Sequence, residues 1–300
     1  MGAKVYIADV DERNGRAAAE ELVKEGKAAI FLPLDLGTLR SAQQGADAFL
    51  KREDQLHILV NNAALLSKEF ELNSDGIVDS MAVQHFGHVV FTNMLLPLLR
   101  RTAAQPGSDV RIVIVGSHAH QRVKHQRFAE LRQFNESWGG DTAQGQMLRH
   151  SASKLAQTLW FKGLTAQLDH ERSNILCILT HPGSVYTEGA MHRAQRLQFP
   201  LNYLTRLILW LTYDTPEAGC MTTVFAACAP EVAYKRDTFH GAYLMPVDGR
   251  AKQSRLVGQA LDEGMARELW EGTERIVAER LGSDWRGGST SEPEPEVTTV

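Results

Sequence analysis

Short apolar runs alternate with amphipathic segments along most of the chain. Lys4-Val5-Tyr6-Ile7-Ala8, Ala28 to Leu34, Leu56 to Val60, Val110 to Val115 and Asn174 to Leu179 read as strands, and their near-continuous apolar character is that of strands covered on both faces. Asp11 caps a first helix through Ala17, Ala18 and Leu22, which Gly26 ends in the left-handed conformation. Thr38 caps a second, with Leu39, Ala42, Ala46, Phe49 and Leu50 on one side. Longer helices are predicted from about Ser74 to Arg101 and from about Gln146 to Asp169, and Thr215-Pro216-Glu217 opens another. A short strand at Tyr243 to Val247 and a closing helix from Leu256 to Leu281 complete the pattern. Strands alternating with helices predict an α/β fold with a doubly wound, mostly parallel sheet. From Ser283 the composition turns to Gly, Ser, Thr, Pro and Glu, so residues 1–282 read as one domain and 283–300 as a disordered tail.

Composition narrows the function classes. Of 300 residues, 32 are Lys or Arg and 36 Asp or Glu, a net charge of −4 that argues against nucleic acid and against a polybasic membrane anchor. Cys177, Cys220 and Cys228 are too few for a disulfide framework and lack metal-ligand spacing, which suggests a reducing compartment. The first fifteen residues do not form a secretory signal, and Leu201 to Leu211 is too short to span a bilayer. These features predict a cytoplasmic protein. Leu201 to Leu211 reads instead as a substrate lid, with a membrane-interface helix as the alternative. His118, His120 and His125 invite a metal, but their loop offers no Cys or carboxylate at ligand spacing, so no metal site is expected.

Four local signatures occur in order. Asn61-Asn62-Ala63-Ala64 follows one apolar strand, and Gly116-Ser117 follows the next. His150-Ser151-Ala152-Ser153-Lys154 lies early in a helix, and Pro182-Gly183 follows the strand after it. Together they resemble the short-chain dehydrogenase/reductase family, in particular its retinol-dehydrogenase-like branch of fungal small-molecule pathways. The resemblance runs from residue 2 to about 281 and includes Gly241-Ala242-Tyr243-Leu244 and Leu269-Trp270-Glu271. It implies a dinucleotide, NAD or NADP, across the carboxyl ends of the strands. It further implies a catalytic Tyr, Lys, Ser and Asn. Ser117 and Lys154 match two of these, and Gln84 stands at the place of the asparagine. Asp9 matches the acid that bonds the adenosine ribose, Asp35 the adenine contact and Asn61 the ribose contact, while Val185 and Thr187 match positions at the carboxamide. The resemblance also implies a dimer through the helices near 74–101 and 146–169.

The sequence departs from the family pattern at three places. The opening strand, Gly-rich turn and first helix have no counterpart, and that turn presents backbone amides to the diphosphate. The missing strand would lie between Lys4–Ala8 and Leu56–Val60, so its loss should leave unpaired backbone groups or force those two strands to pair directly. A longer gene product would account for the same departure. His150 replaces the tyrosine; its imidazole can accept a proton near neutrality, but Lys154 nearby disfavours this and the ring is shorter than a phenol. Gln84 displaces the family amide by one methylene.

Each candidate also has a plainer reading. Ser117 can be a loop hydroxyl, Lys154 an exposed helix lysine and His150 a tolerated substitution. Asp9 can be turn chemistry beside Asp11, and Asn61 a structural tie between neighbouring strands. The functional expectation is an NAD(P)-linked oxidoreductase by descent, acting on a hydrophobic alcohol or ketone in secondary metabolism. The alternatives are a non-redox isomerase, dehydratase or cyclase using His150 and Ser117, or a non-catalytic subunit pairing with an intact relative.

Overall fold

The computed structural model describes residues 2–66, 69–183 and 215–286. The expected Val185, Thr187 and Leu201–Leu211 lid lie outside the described residues, as does the expected tail from 287 onward.

A parallel pair comes first, β1 (Lys4–Asp9) beside β2 (Ala28–Pro33), joined by α1 (Glu12–Lys24). The Asp11 carboxylate accepts from the Asn14 amide at the start of α1, and Gly26 turns the chain at φ +78° beyond its end. Then follow α2 (Leu39–Leu50), capped by Thr38, and β3 (Ile58–Asn61). The helix expected from Ser74 begins only at Asp79, because Asn73 to Gly76 form a turn and Leu72 bridges Val78. The Asn73 side chain accepts from the amides of Asp75 and Ile77, offering that backbone a partner other than a helix. From there α3 (Asp79–Met81) runs through a π-helical turn, Ala82–Phe86, into α4 (Gly87–Ala103). The chain continues with β4 (Val110–Val115), a 3-10 turn His118–Arg122, α5 (Leu131–Phe134), α6 (Ala143–His170) and β5 (Ile175–Thr180). After the undescribed segment come α7 (Pro216–Cys228), α8 (Pro230–Tyr234), α9 (Arg236–Phe239), β6 (Tyr243–Val247), β7 (Arg250–Ser254) and α10 (Glu263–Leu281).

β7 was not foreseen. It pairs antiparallel with β6 around Asp248-Gly249, both at positive φ (51° and 69°), the dipeptide that a two-residue hairpin turn favours. The closing helix starts at Glu263, capped by Asp262, rather than at Leu256. Its end also differs from expectation. Trp285 is buried and its carbonyl accepts from Gln43 Nε2, so the first residues assigned to the tail are anchored to the core by an indole.

Strands β3-β4-β5-β6-β7 form one sheet, parallel except for β7, with helices on both faces. Alternation divides its side chains between two cores. Ile112, Ile114, Ile175, Cys177 and Leu179 face α4 and α6, while Val113, Leu176 and Ile178 face α7 and its short successors. Arg111 is buried among the latter. Its guanidinium holds Asp109 and donates to the carbonyls of Ala226 and Ala229, closing the end of α7 with a side chain from the sheet.

β1 and β2 form a separate two-stranded sheet, and β1 does not pair with β3. Of the two outcomes expected for the missing strand, the facing edges therefore stay unpaired. Val5 is 41% exposed and Ile58 and Val60 each 39%, so nothing described covers that seam. Helices join the two sheets. Tyr6 donates its hydroxyl to Glu53, beyond the end of α2, and sets its ring edge-on to Phe49 at 4.9 Å. α2 in turn lies on α4, and a Cβ built on Gly87 would come within 2.4 Å of the Leu36 carbonyl oxygen.

A second close approach lies on the face where a partner was expected. On α6, Gly163 lies under Trp270 of α10, where a Cβ would be 2.6 Å from the indole. The chain's own closing helix thus covers part of the α4–α6 surface and leaves a groove of about 1050 Å³, lined in part by Pro97, Arg100, Lys162 and Trp270. No described helix is long and apolar enough to cross a membrane.

Gly87→Ala tests the joint between the sheets. Alanine is the better helix former by about 1 kcal/mol, yet the collision is with backbone and should cost about 1–3 kcal/mol. Urea melts should show net destabilisation, and amide exchange should speed up in β1 and β2 more than in β4 and β5. Equal acceleration in all four strands would show that the joint lies elsewhere.

Candidate active site

The site is built where β4 ends. Gly116 donates to the Thr180 carbonyl at 2.8 Å and keeps the chain close to β5, where a Cβ would meet Leu179 at 3.0 Å. Ser117 follows in extended conformation and caps the 3-10 turn, its Oγ accepting from the Ala119 amide at 3.1 Å. The same turn folds His120 back, so that Nδ1–H donates to the Ser117 carbonyl at 2.6 Å.

α6 brings the lysine. Thr142 caps it by accepting from the Gly145 amide, and helical spacing places His150 and Lys154 one turn apart on one face. Lys154 is 3% exposed, which excludes the reading as a solvated surface lysine. Its Nζ donates to the Val115 carbonyl at 2.8 Å and to Gln157 Oε1 at 2.9 Å, two residues along the chain from Ser117. His150 is half-buried, and its carbonyl accepts from Ser153 Oγ at 2.9 Å.

Gln84 reaches the same helix from the π-helical turn, a widened turn of the kind that recurs at functional sites. Its Nε2 lies 2.8 Å from Ser153 Oγ, while Oε1 is buried with no hydrogen-bond partner. The structure therefore brings Ser117, Lys154 and Gln84 into one region, with His150 on the α6 face beside them.

Three of the residues expected on the dinucleotide side, Asp9, Asp35 and Asn61, sit at the carboxyl ends of strands. Asp9 closes β1 and accepts from the Asp11 amide at 2.9 Å; Asp35 follows β2 and accepts from the Gly37 amide at 2.7 Å. Both are exposed, with one oxygen committed to the local turn. Asn61 closes β3, but its amide is spent inward on Thr92 Oγ1 at 2.9 Å and His88 Nδ1 at 3.2 Å. It ties strand to helix α4, rather than strand to strand.

Burial sets the electrostatics. It pushes the Lys154 ammonium down to about 7, since its two bonded partners are neutral oxygens. His88 is lowered to about 4, chiefly by burial. His181 is also lowered to about 4, first by burial and then by the charges of His118, His120 and Lys154. Burial takes His85 to about 3. His85, His88 and His181 are thus uncharged near neutrality. Among the described residues no group of three or more His, Cys, Asp or Glu could hold a metal ion.

Two side chains at the site escaped sequence reasoning. His181 follows β5 directly, and its ring stacks on His118 at 4.6 Å. Tyr243 opens β6 and meets His120 edge-on at 6.1 Å. The adjoining Pro182-Gly183 was the available signal for the first; the second depends on β6 pairing beside β5.

These shifts give a pH dependence of stability with a worked sign. Between about 4 and 6.5 the unfolded chain takes up protons at His88 and His181 that the folded chain refuses, so stability falls as pH drops through that window. Between about 7 and 10.5 the unfolded chain keeps a proton that folded Lys154 has released, so stability rises with pH there. Urea melts at a series of pH values should show both limbs, and Lys154→Met should flatten the upper one. An upper limb of equal slope in both proteins would contradict the assignment.

Comparison with known proteins agrees with the geometry. Residues 1–128 match the family model for short chain dehydrogenase. A short-chain dehydrogenase/reductase of Armillaria gallica is 36% identical over 279 residues, covering 92% of this chain and 85% of that protein. Retinol dehydrogenase 14 of Mus musculus is 30% identical over 291 residues, covering 92% and 79%. Among solved structures, the Pseudomonas aeruginosa RhlG/NADP active-site complex superposes with a TM-score of 0.60 over 83% of this chain and 86% of that one; at 22% identity it speaks for the fold. With likeness of this extent over most of both chains, this protein belongs to the short-chain dehydrogenase/reductase family.

Proposed function

We propose that the chain is an NAD(P)-linked oxidoreductase interconverting a hydrophobic alcohol and its carbonyl compound. The observation that carries this reading is the buried Lys154, delivered to the end of β4 beside Ser117 with no carboxylate bonded to it. A relative named for retinol supports a hydrophobic alcohol, and the RhlG/NADP complex supports a nicotinamide cofactor.

The residues present fit the nucleoside parts of such a cofactor. Lys154 has three N–H donors and two protein acceptors, leaving one for a ribose hydroxyl. Asp9 and Asp35 each hold a second carboxylate oxygen towards a hydroxyl or amino group. Val185 and Thr187 belong to the same proposal as carboxamide contacts. When bound, the dinucleotide supplies or accepts the hydride.

The chain's own residues then handle the oxygen and its proton. Ser117 Oγ holds the substrate oxygen by a hydrogen bond. His150 gives it a proton in reduction and takes one in oxidation, and the amine–ammonium balance of Lys154 near neutrality lessens the repulsion between the two cations. Gln84, through Ser153, fixes the turn of α6 between His150 and Lys154. Any association of copies over α4 and α6 would form beside α10, in the groove that Trp270 borders.

Calorimetric titration with NADH and NADPH tests cofactor binding, and silence with both at millimolar concentration ends the proposal. Given turnover on a hydrophobic aldehyde or ketone, His150→Tyr should raise kcat by about 10- to 100-fold, because a phenol reaches about 1 Å nearer the substrate oxygen. Lys154→Met should lower kcat/KM at least as much. A His150→Tyr variant that is no faster than the wild type would remove position 150 from the proton step.

A further inference from the structure

The β6–β7 hairpin reaches past the end of the sheet it belongs to. β5 pairs with β6 only through Leu179–Tyr243 and Thr180–Leu244. Thr180 is the last residue of β5 and lies opposite Val115, the last of β4. Met245 and the rest of the hairpin therefore extend beyond the carboxyl ends of those strands, on the side where Ser117 lies. Contacts agree with this placement: His118 Nε2 is 3.0 Å from Met245 Sδ, and the His118 ring stacks on His181 at 4.6 Å.

Register decides what the overhang presents. Side chains alternate along a strand, and residues opposite one another in an antiparallel pair share a face. Tyr243 packs in the core under α4 and α6 with Met245 against it, so Val247 points the same way. Their partners across the hairpin are Ser254, Lys252 and Arg250. The face on the α6 side, which is also the side of Lys154 and His150, thus carries a half-buried Met245 and a 39% exposed Val247. Two cations run along its outer edge. Lys252 meets Asp248 at 3.3 Å, an exposed pair and therefore a weak one, and Arg250 has no ion pair among the described residues.

Strand order sets the distance. Ser117 continues β4 in extended conformation, and the cations stand on β7, three interstrand spacings away, about 14 Å. Met245 and Val247, on β6, lie between. An apolar surface that ends in a net positive rim, on a chain whose own charge is −4, suits a molecule apolar along its length and anionic at its far end.

We propose that the substrate is an amphipathic carbonyl compound or alcohol, with its reacting oxygen at Ser117, its apolar body against Met245 and Val247, and a carboxylate on Arg250 and Lys252. The guanidinium of Arg250 can hold a carboxylate by two parallel N–H bonds, and Lys252 adds a point charge. Both are then specificity-determining residues. The inference rests on the oxidoreductase reading for the reacting group, while the anion site itself requires no turnover.

Calorimetric titration of the full chain with an ω-oxo carboxylic acid of twelve carbons, and with its methyl ester, tests the anion site. The acid should bind about tenfold more tightly, as a charge-assisted hydrogen bond allows. Arg250→Gln should weaken the acid about tenfold and bring it close to the ester. No binding of the acid, equal affinity for acid and ester, or an undiminished affinity in Arg250→Gln would overturn the proposal. Reduction of both compounds with NADH or NADPH separates it from the wider reading. Turnover of both without preference for the acid defeats the substrate class alone. Preferential binding of the acid with turnover of neither defeats the oxidoreductase reading and leaves the anion site standing.

Discussion

The lysine on α6 has a single way to satisfy its charge-bearing nitrogen. Burial strips Lys154 of water, and its N–H groups turn to the Val115 carbonyl and the Gln157 amide oxygen. The first of those bonds fastens α6, 28 residues long, to the last residue of a strand buried along its whole length. Ser117 lies two residues beyond, and His150 one helical turn back. The relation of all three follows from where one ammonium finds acceptors. The same desolvation weakens its hold on the proton, so the group that organises the site is also one whose charge changes near neutrality.

The two acids proposed for the nucleoside are positioned differently. Asp9 and Asp35 belong to the small sheet of β1 and β2, which shares no backbone hydrogen bond with the large one. Their position relative to Ser117 depends on side-chain packing: Tyr6 on Phe49, and Gly87 against Leu36. Packing of this kind transmits position through shape complementarity, and a single added methyl group is felt. α10 braces further parts of the site. Glu268 pairs with Arg127 and accepts from the Phe128 amide, and Thr273 meets His85 beneath the π-helical turn. The closing helix thus supports both the loop after Ser117 and the segment carrying Gln84.

Histidine has two functions in this molecule. His85 and His88 are interior struts held neutral by burial, His85 bonded to Thr273 and His88 donating Nε2–H to the Ala63 carbonyl. His118, His120 and His181 lie beyond the ends of β4 and β5, where His118 stacks on His181 and His120 donates to the Ser117 carbonyl. Burial lowers His85, His88, His120 and His181, so their state is a consequence of packing more than of residue type.

Composition and periodicity in the sequence determined the alternation of strands and helices, the caps at Asp11, Thr38 and Thr215, and the ordered motifs around Asn61, Ser117, Lys154 and Pro182. These are local matters, settled by side chains within a few residues of the backbone they serve. Even the β6–β7 hairpin was legible, in Asp248-Gly249, although that signal went unread. Tertiary structure decided what depends on distant neighbours: the inward turn of the Asn61 amide towards Thr92 and the burial of Trp285 against α2. It alone placed His181 and Tyr243 at the site, since they belong to strands that come together only when the sheet forms. Hydrogen bonding near in sequence is written into the residues themselves, whereas desolvation is a property of everything that surrounds them.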